Sequence, residues 1–363
     1  MPKAILQLVI ALLILSLTAC GFKDIDNRFF VICVGIDEGK NHPYKVSLML
    51  DIPSSKSEPG KSNALIISKE ADSIAEAVRL MKSNVDKELD FGQTKIFVIG
   101  KRFARQHELK SSLDWLFRRR DIQQIAYLAI GEPDAATILN TNPKSERLRG
   151  NAMILALSGN GSESPYTVQE PLFDYFRRVN SHGEDAYMPI IRSHGDHILI
   201  DRVYAFSGDH ASLELTPQET AAFNQLVMGQ DRFIVKLPVA GQLVTFSATK
   251  IHVHYRFAQP LRAPSEVRFN IHVEVDVEDS PVSLFYHDWH QVERLIAEEL
   301  QTQYMSLLKK LQEHHSDPVG LGIEYRAVNH QGDAEIAAWK DIYPELKFRV
   351  NVHVKFKSTG IIE

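Results

Sequence analysis

Paired histidines are the residues of this chain whose type and spacing best suit a metal ion. His252 and His254 alternate along a predicted strand and share one face of it, and His194 and His197 are three positions apart in a predicted loop. Imidazole pairs of this kind bind zinc or copper. The strand histidines, however, occupy the solvent-facing positions beside strands rich in acids and bases, where cross-strand charge pairing accounts for polar residues. We therefore predict no metal site.

Neither the glycine pairs nor the acidic residues form a recognisable nucleotide-binding or catalytic motif. Gly159-x-Gly161 and Gly320-x-Gly322 each lack the third glycine and the strand-to-helix setting of a dinucleotide-binding loop. The sequence contains no G-x-S-x-G elbow, H-E-x-x-H zinc helix or G-x-x-x-x-G-K-[ST] phosphate loop. The acidic residues that we considered as catalytic carboxylates all lie on hydrated faces of predicted elements: Asp279, Glu298 and Glu299. These observations predict a protein that is not an enzyme and needs no cofactor.

The N-terminal segment has the pattern of a bacterial lipoprotein signal. A positive start is followed by an apolar run from Ala4 to Leu17, and small residues then precede Cys20. The run is shorter than the roughly 20 residues that a transmembrane helix needs, so residues 1–19 are predicted to be a cleaved signal peptide. Cys20 is predicted to be the lipid attachment residue, which would hold the protein on the outer face of the cytoplasmic membrane. An ordinary secreted protein whose cysteine lies there by chance is the alternative.

The composition indicates a folded ectodomain with more than one core. Hydrophobic residues make up 44% and charged residues 24% of the 363 residues, and this length exceeds what one core usually covers. The formal net charge of −5 gives no reason to expect nucleic acid as a partner. If Cys20 carries lipid, Cys33 has no intramolecular partner and is predicted to be a buried thiol.

Strands and helices alternate in the first half of the chain. Apolar runs bounded by turn residues predict strands over residues 29–36, 44–52, 64–68, 95–100 and 124–130. Apolar residues spaced by three and four predict a helical face from Ile74 to Leu89, with Ser73 and Glu76 at capping-box spacing. Further helices are predicted over residues 108–117 and 133–139.

The second half is dominated by alternating strands and one long helix. A hairpin over residues 198–206 and 212–215 is predicted to precede a helix over 217–228, with Thr216 as its N-cap. Apolar and polar residues then alternate over 251–257, 267–277 and 347–357, which predicts half-exposed strands. The long helix, over about 288–314, has the length to cover the apolar face of an antiparallel sheet.

These elements predict an α+β fold with several domains, in which mixed or antiparallel sheets pack against helices. The predicted division is a signal peptide over 1–19, an N-terminal α/β domain over 20–188, a small middle α+β domain over 189–245 and a C-terminal α+β domain over 246–363.

Several motifs, in order along almost the whole chain, carry a family resemblance. They are Cys20, Gly35-Ile36-Asp37, Tyr44-Lys45-Val46 up to Pro53, Lys95 to Gly100 with Ala104, Pro189, Ala205-Phe206, Leu215-Thr216, Glu219-Thr220, Asp317, Gly320, Gly322, Trp339, Tyr343-Pro344 and Thr359-Gly360. On these residues the chain resembles the C-subunit lipoproteins of spore nutrient-germinant receptors, the GerC-type family.

The resemblance implies a subunit without enzymatic activity, lipid-anchored in the spore inner membrane and assembled with two polytopic membrane subunits. It implies no small-molecule ligand for this subunit. A substrate-binding lipoprotein or surface hydrolase of the cell envelope is the alternative, and a purely structural envelope lipoprotein is a third possibility.

Overall fold

The computed structural model describes residues 27–51, 64–146, 149–159, 164–258, 265–281, 288–329 and 333–358. The predicted signal peptide, the predicted lipid attachment residue Cys20 and the Thr359-Gly360 motif lie outside these residues. The described chain forms two sheets. No helix within it combines the length and the apolar character needed to cross a membrane.

The first sheet has nine strands: β1 (Arg28–Glu38), β2 (Tyr44–Asp51), β3 (Leu65–Ala71), β4 (Glu88–Asp90), β5 (Ile96–Gly100), β6 (Tyr127–Glu132), β7 (Tyr187–His194), β8 (His197–Ser207) and β9 (His210–Glu214). Their order is β3-β2-β1-β5-β6-β7-β8-β9, and β4 also pairs with β1. Strands β1, β5, β6 and β7 are parallel to one another, whereas β2, β3, β8 and β9 join by antiparallel pairing. The sheet is therefore mixed.

Helices cover both faces of this first sheet. One face packs against α1 (Ile74–Lys82), α2 (Lys101–Gln106), α3 (Leu109–Ser112), α4 (Asp114–Arg118) and α7 (Leu172–Asn180). The other packs against α5 (Ala135–Asn140) and α6 (Arg149–Ser158). Every residue of β5 is buried, and neighbours such as Ile96 and Phe97 belong to the two different cores. This explains why the central strands are continuous apolar runs rather than alternating ones.

The second sheet is smaller and is covered differently. It consists of β10 (Phe233–Val239), β11 (Gln242–Phe257), β12 (Glu266–Asp279) and β13 (Lys347–Ser358), in that order. The long helix α9 (Trp289–Glu313) packs its apolar side, including Ile296 and Leu300, against one face. The remaining helices are α8 (Pro217–Met228), α10 (Leu321–Asn329) and α11 (Asp333–Ile342), and a 3-10 turn follows at Tyr343–Glu345. The polar residues of the strands lie on the opposite face.

The α+β class and the long covering helix are confirmed, but one pairing differs from expectation. Strand β13 runs parallel to β12, so the C-terminal sheet is mixed rather than antiparallel. The physical reason is the connection: α9, α10 and α11 form a helical crossover between β12 and β13, and such a crossover returns the chain in the same direction.

Two helix predictions were wrong in extent. The helix that begins at Ile74 ends at Lys82, where the hydroxyl of Ser83 donates to the carbonyl of Leu80 at 2.6 Å, and Leu89 lies instead in β4 beside β1. The helix predicted over 108–117 is broken at Leu113 into α3 and α4. Both errors placed apolar residues correctly in the core but with the wrong backbone.

The predicted division at residues 188 and 189 falls within a strand. Pro189 belongs to β7, which pairs with β6 and β8, so residues 189–214 extend the first sheet. The predicted division at residues 245 and 246 likewise falls inside β11. Helix α8 connects the sheets, and its Phe223 shares one core with Tyr187 of β7 and Phe246 of β11.

Candidate functional site at the junction of the two sheets

Four chain segments from the two halves meet at one place, which we call the junction. The segment 181–185 precedes β7, 207–208 is at the end of β8, 315–317 precedes α10, and 339–343 is at the end of α11. Between them lies a cleft of about 510 Å³, lined by Ser181, His182, Gly183, Glu184, Asp185, Ser207, Gly208, His315, Asp317, Trp339, Lys340 and Tyr343. Asp317, Trp339 and Tyr343 are among the residues that carry the family resemblance, which we call the signature residues, and all three lie at this site.

Asp317 is the most buried carboxylate of the junction. Its oxygens accept hydrogen bonds from the backbone amides of Gly320 and Leu321, both at 3.1 Å, and of Gly322 at 2.9 Å. Burial raises its pKa to about 7, although these three amide donors favour the charged form and oppose the rise. The carboxylate caps the start of α10, because the amides of Leu321 and Gly322 in its first turn have no acceptor within the helix.

Asp185 binds the loop of Asp317 from the opposite half of the molecule. Its carboxylate accepts the amide of Asp317 at 2.8 Å and the amide of Gly208 at 2.9 Å. Its own amide donates to the carbonyl of Asp317 at 2.9 Å. Burial also raises the pKa of Asp185, and its two amide donors lower it in part. The two aspartates therefore tie the first sheet to the second through backbone groups.

Two glycines allow the halves to approach each other closely. Gly183 has a φ of +100°, and a Cβ there would lie 2.6 Å from the carbonyl carbon of Gly322. A Cβ on Gly322 would lie 2.5 Å from the indole nitrogen of Trp339. The amide of Ile323 donates to the carbonyl of Gly183 at 3.1 Å across this contact. Gly320 and Gly322, which we considered as part of a dinucleotide-binding loop, therefore serve in capping α10 and in packing.

Aromatic and hydroxyl groups complete the junction. The hydroxyl of Tyr343 donates to the carbonyl of Ser316 at 2.6 Å, and the hydroxyl of Ser316 donates to the carbonyl of Phe206 in the first sheet. Trp339 packs on Tyr343 and on Phe257 of β11, with ring centroids 5.4 and 6.2 Å apart. The junction is therefore held together by both hydrogen bonds and aromatic packing.

A buried ionic network supports one wall of the cleft, and sequence reasoning missed it. Arg177 and Arg178 both donate to the carboxylate of Glu184, and Arg178 also donates to the Tyr187 hydroxyl at 3.0 Å. Glu170 lies 3.4 Å from Arg178 and is almost fully buried, which raises its pKa well above the ordinary value. In the sequence, residues 169–189 show no clear period of apolar residues, because only one short helix, α7, lies among them.

Comparison with known proteins gives the family. Residues 21–193 match the spore germination protein N-terminal domain, and residues 201–360 match the spore germination B3/GerAC-like C-terminal domain. The chain belongs to the GerAC family of spore germination proteins. The two matched segments are separated only by the turn between β7 and β8 and the first residues of β8.

Individual members of the GerAC family are distant in sequence but similar in length and fold. The spore germination protein GerQC of Bacillus cereus is 22% identical over 76% of this chain and 77% of its own length. Spore germination protein B3 of Bacillus subtilis is 21% identical over 98% and 97%. The crystal structure of the GerBC protein superposes with a TM-score of 0.52 at 18% identity, over 89% of this chain and 96% of that one, which shows a common fold.

The other motifs that carried the GerAC resemblance also hold the fold together. Asp37 at the end of β1 accepts the first amides of α5, from Ala135 at 2.8 Å and Ala136 at 2.9 Å. A Cβ on Gly100 would lie 2.0 Å from that carboxylate. Thr216 is the N-cap of α8, as predicted, and it forms a capping box with Glu219, which also accepts from Lys310 of α9 at 2.7 Å.

The histidines considered as metal ligands lie apart from the junction. His252 pairs across strands with His272, whose ring stacks on His353 with centroids 5.0 Å apart, and all three are exposed. His194 and His197 pair at the β7–β8 turn. In the part of the chain that the structure describes, no group of three or more histidine, cysteine, aspartate or glutamate side chains is placed to bind a metal.

The remaining candidates are also placed. Asp279 and Glu298 are exposed, and Glu299 accepts the side-chain amide of Gln303 at 2.7 Å. Gly161 lies outside the described residues. Cys33 is buried in the first sheet, where burial raises the pKa of its thiol to about 12 and keeps it protonated at physiological pH.

Proposed function

We propose that this member of the GerAC family is a lipid-anchored receptor subunit, without enzymatic activity, on the outer face of the cytoplasmic membrane that becomes the spore inner membrane. There it assembles with two polytopic membrane subunits of a nutrient-germinant receptor and couples nutrient binding to germination. Cys20 carries the lipid.

The use of the signature residues in the junction is the observation that carries this proposal. The carboxylate of Asp317 caps α10, the backbone amide of Asp317 donates to Asp185, and Gly322 permits close packing, so these signature residues join the two sheets. A chain that uses its signature to hold a large two-sheet body in one shape suits a scaffold that presents surfaces to partner proteins.

Replacement of Cys20 tests the anchoring. In spores that carry Cys20→Ala, we expect the protein to leave the membrane fraction and the rate of nutrient-triggered germination to fall at least tenfold. Cys33→Ala is the matched control, since it removes the buried thiol and keeps the lipid site. Spores that germinate at the normal rate with a released Cys20→Ala protein would rule out the proposal.

Assembly is tested separately by affinity purification of the full-length protein from detergent-solubilised forespore membranes. We expect two polytopic membrane proteins to co-purify with it in a fixed ratio. Recovery of the protein alone under conditions that preserve other membrane complexes would contradict an assembled receptor and favour a free-standing envelope lipoprotein.

The junction cleft favours a second candidate, a substrate-binding lipoprotein. Its volume of about 510 Å³ is within the usual range for small-molecule sites, and its lining includes the side chains of His182, His315 and Lys340. Native mass spectrometry of the purified protein would reveal a retained small molecule. A ligand that is lost in a Lys340→Gln variant would favour this candidate.

A further inference from the structure

The open face of the second sheet carries two transverse rows of basic side chains. Arg256 of β11 pairs across strands with Arg268 of β12, which pairs with Arg349 of β13, and we call these the arginine row. Four residues along the strands, His252, His272 and His353 form a second line across the same three strands, the histidine row. At about 4.8 Å between strands and 3.3 Å per residue, the rows enclose a patch of roughly 10 by 13 Å.

Like charges placed directly opposite each other destabilise a sheet, so the arginine row has a cost that the fold does not require. One carboxylate partly offsets it: Glu266 accepts from Arg268 at 2.5 Å. Within the described residues, neither Arg256 nor Arg349 is bonded to a carboxylate, and both are exposed. The far end of the face is balanced instead, for Glu274 lies 3.7 Å from Lys357. The uncompensated positive charge is therefore concentrated at the arginine end.

The arginine row lies on the side of the molecule at which the anchor would attach. Strands β1, β5, β6 and β7 are parallel, so they all begin at the same end of the first sheet. The start of β1 at Arg28 and the segment 181–185 before β7 therefore lie at that end. That segment forms the junction, and Trp339 of the junction packs on Phe257, the neighbour of Arg256. From Cys20 to Asn27 the chain spans at most about 25 Å.

We propose that the open face of the second sheet docks, through the arginine row, on anionic phospholipid headgroups of the membrane that holds the anchor. This inference rests on the proposed attachment of lipid at Cys20. Guanidinium groups bind phosphate oxygens in a bidentate manner and concentrate at anionic membrane surfaces, and a flat sheet face presents all three to one plane. Docking fixes the orientation of the ectodomain on the membrane, which an acyl chain alone does not.

A lipid-contact measurement on the full-length lipidated protein, reconstituted in vesicles, tests the proposal. A nitrobenzoxadiazole probe is attached at Asn351→Cys, between the two rows, or at Ser306→Cys, on the exposed side of α9 away from the sheet. Labelling is selective because Cys33 is buried and Cys20 carries lipid. The vesicles contain phosphatidylcholine alone or with 30% phosphatidylglycerol, plus a headgroup-labelled lipid quencher.

With phosphatidylglycerol, we expect quenching at position 351 to rise at least threefold over phosphatidylcholine alone, with no change at position 306. The triple variant Arg256→Gln, Arg268→Gln, Arg349→Gln should lose this rise, the matched triple Arg→Lys variant should keep most of it, and 0.5 M salt should abolish it. Equal quenching in both vesicles, or an unchanged rise in the Arg→Gln variant, would overturn the proposal.

Two further outcomes distinguish docking on lipid from contact with something else, and a third tests the anchor. Loss of the rise in 20 mM inorganic phosphate at constant ionic strength would show a site for free phosphate, and contact at position 351 that requires co-reconstituted polytopic subunits would show a protein partner; each overturns docking on lipid. Failure of the protein to float with phosphatidylcholine vesicles would instead contradict the anchor, and this separates the two proposals.

Discussion

The two sheets of this protein differ in how many of their faces are covered. The first sheet is packed between helices on both sides, and β5 is buried at every position. The second is packed on one side by α9, and along β10 buried and exposed residues alternate without exception. The first sheet therefore contributes mainly stability. The second also presents an open strand face, which is available for contacts outside the chain.

The largest expected effects test this difference directly. Phe97 and Ile96 are neighbours on opposite faces of β5, and both faces are buried in a core. We expect Phe97→Ala to lower the free energy of unfolding by about 3–5 kcal/mol and Ile96→Ala by about 2–5 kcal/mol. In β12, Ile271→Ala should cost about 2–5 kcal/mol but its neighbour His272→Ala less than about 0.5 kcal/mol. Urea unfolding measures all four. A large loss at His272 would mean that the open face is covered.

The junction between the sheets should be the next most sensitive place. Gly183→Ala combines an unfavourable positive φ with a backbone clash, and we expect it to cost about 2–4 kcal/mol. Gly195→Ala is the matched control, since Gly195 also has a positive φ, of +64°, but a Cβ there would meet nothing within 4 Å, and the change should cost about 1–2 kcal/mol. Equal losses in thermal unfolding would show that the close approach of the two halves adds nothing.

The buried carboxylate of the junction predicts a pH dependence. The pKa of Asp317 is raised to about 7 in the folded protein, above the ordinary value of 3.8, so the folded state holds more protons than the unfolded state between these values. Its contribution to stability therefore falls as pH rises from about 4 to about 7, by at most about 1.4 kcal/mol per pH unit.

Asp317→Asn should remove this part of the slope, while Asn keeps an acceptor for two of the three amides. Urea unfolding at four pH values between 4 and 7 compares the variant with the wild type. Identical slopes would mean that Asp317 is ionised throughout this range in both states.

The smallest effect is expected where α8 and α9 connect the two sheets at their surface. Lys310 donates to both carboxylate oxygens of Glu219, at 2.7 and 2.9 Å, but both side chains are about one quarter to one third exposed. A double-mutant cycle of Glu219→Gln and Lys310→Met should give a coupling of about 0.2–1 kcal/mol. A coupling above about 2 kcal/mol would indicate that this pair, and not the junction, holds the sheets together.

Local signals in the sequence were sufficient for much of the fold. The alternation from Val267 to Val277 correctly predicted a strand with one buried face, and Thr216 was correctly predicted as the N-cap of α8. These patterns involve residues within one element, so their physical cause is visible in a single stretch of chain. The GerC-type resemblance also depended on motifs that are each local, and the family match over residues 21–193 and 201–360 confirmed it.

The errors came from contacts between distant residues. Leu89 satisfied the period of the helix that begins at Ile74, yet its backbone pairs with β1, and no local pattern shows that partner. Pro189 was interpreted as a break between domains. A strand tolerates proline, however, at a position where no neighbouring carbonyl requires a backbone N–H. The junction combines Asp185 with Asp317, and the direction of β13 depends on a crossover, so neither was accessible from spacing alone.

The hydrogen bond between Asp185 and the amide of Asp317 spans 132 positions of the chain. As the polypeptide is made from its N-terminus, the strands of the first sheet are complete well before the residues that close over Gly183 have been added. During that interval the carboxylate of Asp185 and the carbonyl of Gly183 must be hydrated, and the edge of the sheet beside them is open. Formation of the junction is therefore a late step of assembly, and chains that stop short of α10 should be targets for proteolysis even though most of their strands are present.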